Sequence, residues 1–357
     1  MESMQSLHAA HRAVLDQAGG KPLPLGYGEF AAEVEALEHG AGVLDLEACG
    51  VIGVRGPEAA QFLNGVVTNN VKALAIGRPQ DNLLCTTKGK ILHAVTILRV
   101  KEEDYLVVTE PGGLEPVAAH LDNYHVREDL QMGVAGLTRL DVIGPRAAAV
   151  LRTAGLDPAR PMQPYEGAAS VLAAHPLGSL PRVLLLAPAP LAPRLAEALL
   201  GAGARLAGYE AFDECRLWAR VPRFGADFPA DFLPAEAALY THIAFDKGCY
   251  VGQEVHARQH YRGHANRKLV SVDVPENIAQ AMQAGAPLFL GGEDVGALTS
   301  LSRQARPRAG DGEPVRRGIA VVRYAVAVGG APLSAQADAA ATIAVAPLAT
   351  DLGVAKR

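Results

Sequence analysis

Short apolar runs separated by polar turns fill the first half of the chain and predict alternating strands and helices. The apolar run at 50–55 predicts a strand, and the Gly-Pro pair that follows it predicts the start of a helix. Two further runs, at 82–85 and 90–100, flank a short polar turn with a glycine, which is typical of a β-hairpin. A strand at 105–109 and a helix at 114–124 follow. This order indicates an α+β layer structure rather than a doubly wound sheet.

The succession of strand, Gly-Pro pair and helix occurs twice in the chain. Residues 54–57 read VRGP, and residues 142–145 read VIGP at the end of a predicted strand and before an alanine-rich helix. A repeat of this kind predicts two similar subdomains. A glycine-rich stretch at 201–208 has the wrong spacing for a dinucleotide-binding loop, so we interpret it as the end of a helix followed by a turn.

The pattern changes after residue 268 and predicts a separate domain. Short apolar runs alternate there with Gly and Pro, and they lie at 269–274, 297–300, 318–323 and 342–345. Several short strands with such turns predict a small C-terminal β-barrel. The polar stretch at 302–317, rich in Arg, Gly and Pro, is predicted to be a mobile loop within it.

Composition narrows the class of protein. The chain has 357 residues, of which 49% are hydrophobic and 20% charged, and this balance is typical of a well-buried globular protein of two or three domains. Its net charge of -5 argues against attachment to nucleic acid by overall charge. The four cysteines are scattered without a C-x-x-C motif, which excludes a disulfide framework and a zinc site and suits a reducing compartment.

Membrane insertion and secretion are not predicted. The most apolar tract, at 183–200, contains three prolines and an arginine, so it is unsuited to span a bilayer. The first 20 residues mix charged and histidine side chains without an apolar signal region. These features predict a soluble, cytoplasmic protein.

The segment at 247–254, which reads KGCYVGQE, carries the most specific chemistry in the chain. A free thiol is a weak nucleophile near neutral pH, and a neighbouring ammonium and a helix N-terminus both favour the thiolate. Lys247 and a predicted helix flank Cys249 in this way. We therefore take Cys249 as the candidate reactive group, with Lys247 as the residue that activates it. The ordinary interpretations are a buried, unreactive thiol for Cys249 and a solvated side chain for Lys247.

Five segments fall in the same order as the motifs of one protein family. They read GVLDL at 42–46, GVVTNNV at 65–71, RLWARVP at 216–222, PAE at 234–236 and KGCYVGQE at 247–254. They resemble the family's G-x-x-D, T-N-D-V, R-x-x-x-G-x-P, P-x-E and K-G-C-Y-x-G-Q-E elements. On these motifs the chain resembles the YgfZ family of folate-binding proteins. That family is related to the aminomethyltransferase, or T protein, of the glycine cleavage system, and its mitochondrial relatives serve iron–sulfur cluster assembly.

The resemblance implies a fold and a domain division. It implies a GcvT/YgfZ-like ring of three subdomains, with two related ferredoxin-like α+β subdomains and a C-terminal β-barrel. Residues 1–268 would form the folate-binding core and residues 269–357 the barrel. The implied cofactor is tetrahydrofolate or a derivative of it.

The resemblance also implies a function. It indicates a folate-binding accessory protein that supports iron–sulfur cluster assembly or repair, and hence cluster-dependent enzymes such as those of tRNA modification. Cys249 would face a central cleft and act on, or transiently bind, a cluster or a reactive adduct. The implied partners are folate, iron–sulfur enzymes or assembly proteins that bind transiently, and tRNA as a further candidate. The alternative is a tetrahydrofolate-dependent aminomethyltransferase-like one-carbon transferase.

One departure from the related transferases argues against that alternative and against an enzyme. Their G-G-x-x-D-D segment supplies an aspartate thought to act on the folate nitrogen, and Ala94 stands at this position here. A methyl group transfers no proton, and general acid–base catalysis contributes about two to four orders of magnitude in rate. His93 is adjacent, but successive strand residues point to opposite faces.

A second departure concerns the ligand. A pterin ring offers two neighbouring N–H groups that a carboxylate accepts, and the transferases supply a glutamate for this from a G-x-x-G-E-x-G segment. The matching residues 175–181 contain no acid. Folate binding is then expected either to be weak or to use Asp227, Glu236 or backbone groups instead. Arg220 replaces the glycine of the R-x-x-x-G-x-P element, and it would either hold the folate glutamate tail or fill the site.

The other candidate ligand contacts come from the motifs themselves. They are Arg216 of the R-x-x-x-G-x-P element, together with Tyr250, Gln253 and Glu254 of the signature. Tyr250 would stack on a ligand ring or belong to the core, and Gln253 and Glu254 would contact the ligand or cap the helix.

A basic, histidine-containing stripe follows the signature. His256, His260 and His264 recur every four residues, but no acid completes a metal-binding spacing, and no metal site is predicted. The arginines and lysine between residues 258 and 268 make this stripe basic. A solvated face is the ordinary interpretation, and an RNA-binding surface is the rival function that the stripe would support.

Overall fold

The computed structural model describes residues 3–308 and 312–351. The chain divides into two compact units. The first comprises Met1–Leu84, His93–Cys215 and Asp246–Tyr250, and the second comprises Cys85–Leu92, Arg216–Phe245 and Val251–Arg357. The predicted domain boundary between residues 268 and 269 falls inside a strand and stays a prediction.

The first unit consists of two sheets with helices packed on them. Its elements are α1 (Met4–Ala10), β1 (Val14–Ala18), β2 (Lys21–Gly26), α2 (Phe30–His39), β3 (Gly42–Asp45), β4 (Cys49–Arg55), α3 (Ala59–Val66), β5 (Pro79–Cys85), β6 (Ile91–Arg99), β7 (Asp104–Pro111), α4 (Leu114–Tyr124), β8 (Gln131–Val134), β9 (Leu137–Ile143), α5 (Ala147–Thr153), β10 (Met162–Tyr165), β11 (Ala168–Ala174), β12 (Arg182–Pro188), α6 (Ala192–Gly201), β13 (Arg205–Leu206) and α7 (Tyr209–Trp218). Of these, β5, β6 and α7 each have some residues that belong to the second unit. One sheet has the order β5-β6-β7-β4-β8 and the other β10-β11-β12-β9-β3-β13, while β1 and β2 form a separate hairpin.

The two large sheets face each other, and alternation along their strands explains why. In β9, Leu140 and Val142 pack with the buried faces of α5 and α6. The residues between them must point to the opposite face of the sheet. There, one apolar cluster combines residues of β4, β6 and β7 with residues of β11 and β12, so it lies between the sheets. Arg139 and Asp141 of β9 are buried on this inner side.

The repeated strand–Gly-Pro–helix segment is present twice, as predicted. Strand β4 leads through Gly56 to α3, and β9 leads through Gly144 to α5. Both glycines have positive φ angles, of 140° and 123°. A Cβ at either position would lie 2.5 Å from a backbone oxygen, that of Asp129 or of Gly40. The two turns therefore require glycine for the same steric reason.

The second unit is built mainly on one sheet. Its elements are α8 (Gln253–Arg262), β14 (Arg267–Pro275), α9 (Glu276–Ala279), β15 (Pro287–Leu290), β16 (Glu293–Leu301), β17 (Arg306–Arg308), β18 (Gly312–Arg323), α10 (Tyr324–Gly329) and β19 (Ala344–Ala346). The strand order is β15-β16-β18-β14-β19, with β17 paired to β18. Backbone pairs Phe289–Ser334 and Leu333–Ile343 connect β15 to the residue that precedes β19. Through this segment the sheet closes on itself, as expected for the predicted C-terminal β-barrel.

The predicted loop at 302–317 is wrong in part. Strand β17 pairs with β18, with Arg306 opposite Val315, so much of this stretch is a hairpin. Arg306 also lies over the Trp218 ring, 4.4 Å from its centroid. A polar composition therefore did not prevent backbone pairing here. Residues 302–305 belong to no strand or helix, as predicted, and residues 309–311 lie outside the described residues.

Candidate functional site

Cys249 differs from the other three cysteines in its exposure. Cys49, Cys85 and Cys215 are buried, and Cys249 is exposed. Burial raises the pKa of Cys49 and of Cys85 to about 12, so these two thiols stay protonated near neutral pH. Cys249 precedes α8 by four residues, because the helix begins at Gln253 rather than directly after the thiol. It is nevertheless the cysteine that a ligand or reagent can reach.

Lys247 holds another segment of the first unit in place. Its Nζ donates to three backbone oxygens, those of Asn64 at 2.8 Å, Val67 at 2.7 Å and Asn69 at 2.6 Å. These residues form the C-terminal end of α3 and the turn after it. The positive charge thus caps a helix C-terminus, where carbonyl groups lack helical partners. Burial lowers the pKa of Lys247 to about 7, while the three carbonyl groups favour its charged form.

This arrangement gives Lys247 a structural role that competes with the predicted activation of the thiol. An ammonium has three N–H donors, and three carbonyl oxygens accept from it. Activation of Cys249 by Lys247 stays a prediction. The contact also links two of the motifs on which the sequence resemblance rests, the signature and the GVVTNNV segment at 65–71.

Tyr250, Gln253 and Glu254 have three different environments. Tyr250 is 7% exposed, and its ring centroid lies 4.7 Å from the Lys247 Nζ, so it packs in the core rather than offering a ring to a ligand. Gln253 is half-buried and Glu254 exposed, both in the first turn of α8. This first-turn position suits Glu254 to the positive helix end, which is its ordinary interpretation.

The first residues of α8 pack closely against the turn between β5 and β6. Gly252 precedes the helix with φ +86°, and a Cβ there would lie 2.8 Å from the Thr86 oxygen. His256 is buried, and its Nε2 donates to the Gly89 oxygen at 2.8 Å. The tip of the β5–β6 hairpin is therefore attached to α8 by close backbone approach at Gly252 and by the His256 bond.

Arg216 and Asp227 are buried together in the second unit. They form an ion pair, and the Asp227 carboxylate also accepts from the hydroxyls of Thr299 at 2.8 Å and Ser300 at 2.6 Å. Arg223 contributes its backbone N–H at 2.9 Å. A buried, hydrogen-bonded pair of this kind has a structural role. The placement gives no support to the prediction that Arg216 and Asp227 bind a ligand.

The Glu236 carboxylate has hydrogen-bond partners, whereas one nitrogen of Arg220 has none among the described residues. Glu236 accepts from the Leu233 N–H at 2.8 Å and from Arg267 at 3.1 Å, which again is structural. Arg220 has φ +57°, a left-handed conformation that favours glycine and explains the glycine of the family motif. Its buried Nε has no hydrogen-bond partner among the described residues. Burial, and the charge of nearby Arg317, lower the pKa of Arg220.

The three histidines after the signature make separate contacts. His256 bonds to Gly89, His260 stacks on Phe245 with centroids 3.9 Å apart, and His264 stacks on Tyr324 at 4.4 Å. Lys268, in the same stretch, pairs with Asp351 at 2.7 Å. An RNA-binding role of this stretch stays a prediction.

A carboxylate that the sequence reasoning missed lies on the inner side of the first unit. The Asp81 carboxylate accepts from the Thr96 hydroxyl at 2.9 Å and contacts the His175 Nε2 at 2.9 Å. Its side chain is 35% exposed. Thr96 lies two residues beyond Ala94 on β6, so both side chains project from the same face of that strand. His93 projects from the other face, is half-buried, and has a pKa lowered by burial and by His120.

We name the Asp81 cluster after this residue and define it as Asp81, Thr96, His175, Arg182, Asp141 and Arg139. Arg182 connects His175 to Asp141, and Arg139 donates twice to Asp141, at 2.8 and 2.7 Å. Burial opposes the ionisation of Asp141, but the charge and bonds of Arg139 outweigh it and lower the pKa of Asp141. In the sequence, the signal for this cluster was the presence of charged residues on predicted strands. The sequence did not show which of these charged residues pair with one another.

Comparisons with known proteins find a domain and several aminomethyltransferases to which this chain is similar. The model of the GCVT N-terminal domain matches residues 4–165. The aminomethyltransferase of Shouchella clausii (strain KSM-K16) is 29% identical over 299 residues, which cover 79% of this chain and 80% of the relative. The aminomethyltransferase of Streptomyces avermitilis is 28% identical over 320 residues, which cover 84% of each chain.

A solved structure extends the likeness to the whole fold. The crystal structure of glycine cleavage system aminomethyltransferase T from Bartonella henselae has a TM-score of 0.82 and 24% identity, and it covers 97% of this chain and 96% of that one. This likeness establishes the predicted α+β fold. Among the described residues, none of the helices has the length and apolar character of a transmembrane span. The domain match and the aminomethyltransferase relatives together support a relationship of this chain to the GcvT superfamily.

Proposed function

We propose that the protein binds a reduced folate and is a tetrahydrofolate-dependent one-carbon transferase of the aminomethyltransferase type. The observation that carries this proposal is the similarity to aminomethyltransferases over about four-fifths of both chains. The sequence had argued against such a transferase because Ala94 and residues 175–181 lack the expected acids. Asp81 weakens that argument, since its carboxylate contacts both Thr96 and His175.

Two of the predicted site residues, Cys249 and Arg220, have environments that suit a ligand contact. Cys249 is exposed and Arg220 has a buried Nε without a partner among the described residues, so both are suited to contact a ligand. A guanidinium is a strong donor to carboxylates such as those of a folate glutamate tail. Replacing Arg220 with Gly would remove that donor and also relieve the left-handed strain at this position.

Two measurements test the proposal. Calorimetric titration with tetrahydrofolate should show saturable binding, weaker in the Arg220→Gly variant. Incubation with an aminomethyl or methyl donor should then show one-carbon transfer to tetrahydrofolate. Absence of tetrahydrofolate binding would overturn the folate proposal, and binding without any turnover would overturn the transferase while leaving a folate-binding protein.

The exposed thiol favours a second candidate function. We propose as the alternative that the protein supports iron–sulfur cluster assembly or repair through Cys249, the exposed member of the four cysteines. A thiol of this kind can bind a cluster or an adduct transiently, whereas buried thiols cannot. The partners would be iron–sulfur enzymes or assembly proteins.

A genetic test separates the two functions. The Cys249→Ala variant is expressed in a strain that lacks the gene, and the activities of cluster-dependent enzymes are measured. The accessory function predicts low activities with Cys249→Ala and normal activities with the wild-type chain. Full rescue by Cys249→Ala would exclude a role of the thiol in cluster maintenance.

A further inference from the structure

Asp81 is held in one orientation by donors on both of its oxygens. The Thr96 hydroxyl donates to Oδ1 at 2.9 Å, and His175 Nε2 lies 2.9 Å from Oδ2. Thr96 lies on β6, and His175 directly follows β11, both in the first unit. A carboxylate can accept about four hydrogen bonds, and 35% of the Asp81 side chain is open to solvent. The group is thus both oriented and accessible.

Arg182 determines which ring nitrogen of His175 carries the proton. The Arg182 Nη2 lies 2.6 Å from His175 Nδ1, and its Nε donates to the His175 backbone oxygen at 2.7 Å. A guanidinium has donors but no acceptor, so Nδ1 must accept and the ring proton must be on Nε2. His175 therefore donates to Asp81 and is a positioning residue rather than a proton acceptor.

The buried residues of the Asp81 cluster, Asp141 and Arg139, hold Arg182 in its position next to His175. Arg182 also lies 3.7 Å from Asp141, which Arg139 holds through two hydrogen bonds. Asp141 is fully buried and Arg182 is 9% exposed. Buried charges that are paired and hydrogen-bonded have little freedom to move. The series of contacts from Arg139 to Asp81 is therefore a rigid support that ends in a solvent-accessible carboxylate.

We propose that Asp81 binds the neighbouring ring N–H and exocyclic amine of a 2-amino-4-oxo heterocycle, with Thr96 and His175 as positioning residues. Such an edge presents two parallel donors, which match the two oxygens of one oriented carboxylate. The inference deepens the proposed function and rests on it, because the pterin ring of a reduced folate has this edge. Asp81 would supply the acid that residues 175–181 lack.

The Asp81→Asn variant tests the charge with little change in shape. The asparagine oxygen can accept from His175, and its amide can donate to the Thr96 hydroxyl, so the supporting contacts can persist. We expect Asp81→Asn to weaken the binding of tetrahydrofolate and of 6-methylpterin by the same factor, about 10- to 100-fold, because one charged acceptor pair is lost. Calorimetric titration measures both. A loss for tetrahydrofolate alone would contradict a contact with the ring.

A matched control lies in the same sheet. Asp104 on β7 is a carboxylate paired with Arg55, and Asp104→Asn should leave both affinities unchanged. The positioning role is tested at Thr96, where Thr96→Val should weaken 6-methylpterin binding and Thr96→Ser should restore it. Equal binding by the Val and Ser variants would overturn the role of the hydroxyl.

The outcomes separate this inference from the proposed function. If the wild type binds tetrahydrofolate and Asp81→Asn binds it equally well, the Asp81 inference is overturned and the folate proposal stands. If the wild type binds 6-methylpterin in an Asp81-dependent way but not tetrahydrofolate, the folate proposal is overturned and the inference stands. If the wild type binds neither compound, both are overturned.

Discussion

Lys247 illustrates how one residue can have a chemical and a structural interpretation. Its position next to Cys249 predicted activation of the thiol, while its ammonium donates to three carbonyl oxygens at the end of α3. We expect Lys247→Met to lower the free energy of unfolding by about 1–3 kcal/mol, because three carbonyl groups lose a charged donor. Chemical denaturation measures this. Lys72→Met, in the exposed turn after α3, should have no such effect.

The same variant decides whether Lys247 also activates the thiol. If its role is structural only, Cys249 in the Lys247→Met variant should react with iodoacetamide at the wild-type rate under native conditions. Slower alkylation that recovers at higher pH would instead support activation, because a lost neighbouring charge disfavours the thiolate.

At the residue scale, the sequence indicated which residues have unusual properties better than it indicated which residues they contact. Arg220 was singled out because it replaces a family glycine, and its φ of +57° explains why glycine is favoured at this position. Cys249 was singled out by its motif, and it is exposed. Arg216 and Asp227 were predicted as ligand contacts, yet they bury each other. Residue type indicates which chemistry is available, but burial and pairing depend on residues far away in the chain.

At the element scale, the two glycines of the signature have different requirements. Gly252 has φ +86°, and a Cβ there would come within 2.8 Å of the Thr86 oxygen, whereas a Cβ at Gly248 meets nothing within 4 Å. We expect Gly252→Ala to destabilise the protein by about 1–3 kcal/mol, because it combines backbone strain with a clash against backbone. Gly248→Ala is the matched control and should have little effect. Thermal unfolding compares them, and equal midpoints would contradict the requirement for Gly252.

Elements were predictable where local signals agreed with the fold. The helix predicted at 114–124 is α4 with the same bounds, since apolar spacing and preceding glycines mark it locally. The hairpin of β17 and β18 was predicted as a loop, because its pairing is stabilised by strand neighbours rather than by its own composition. Local patterns therefore indicate elements that bury a face of their own.

At the scale of the whole molecule, the Asp81 cluster shows what pattern reasoning cannot reach. Its members come from β5, β6, β9, β12 and the segment before β12, and they meet only because two sheets face each other. The sequence predicted the strands but not their order or their facing surfaces. The missing acids at Ala94 and residues 175–181 were visible in the sequence, while the carboxylate that lies near both positions was not.

Three histidines, of which His256 is buried and His93 and His120 are half-buried, should make the stability of the protein sensitive to acid. Burial lowers the pKa of His93, His120 and His256 below the ordinary value of a histidine side chain. In the unfolded chain these groups bind protons first as the pH falls, so stability is lost below about pH 6.5. For each such group the free energy of unfolding changes by at most about 1.4 kcal/mol per pH unit.

His256→Gln isolates one of these contributions. Glutamine keeps an N–H donor for the Gly89 oxygen, which His256 Nε2 contacts at 2.8 Å, but it does not titrate. We expect unfolding free energies measured between about pH 7.5 and 5 to fall less steeply for His256→Gln than for the wild type. His11→Gln, which changes an exposed histidine, is the control and should keep the wild-type slope. A wild-type slope in His256→Gln would mean that His256 takes up its proton equally well in the folded protein.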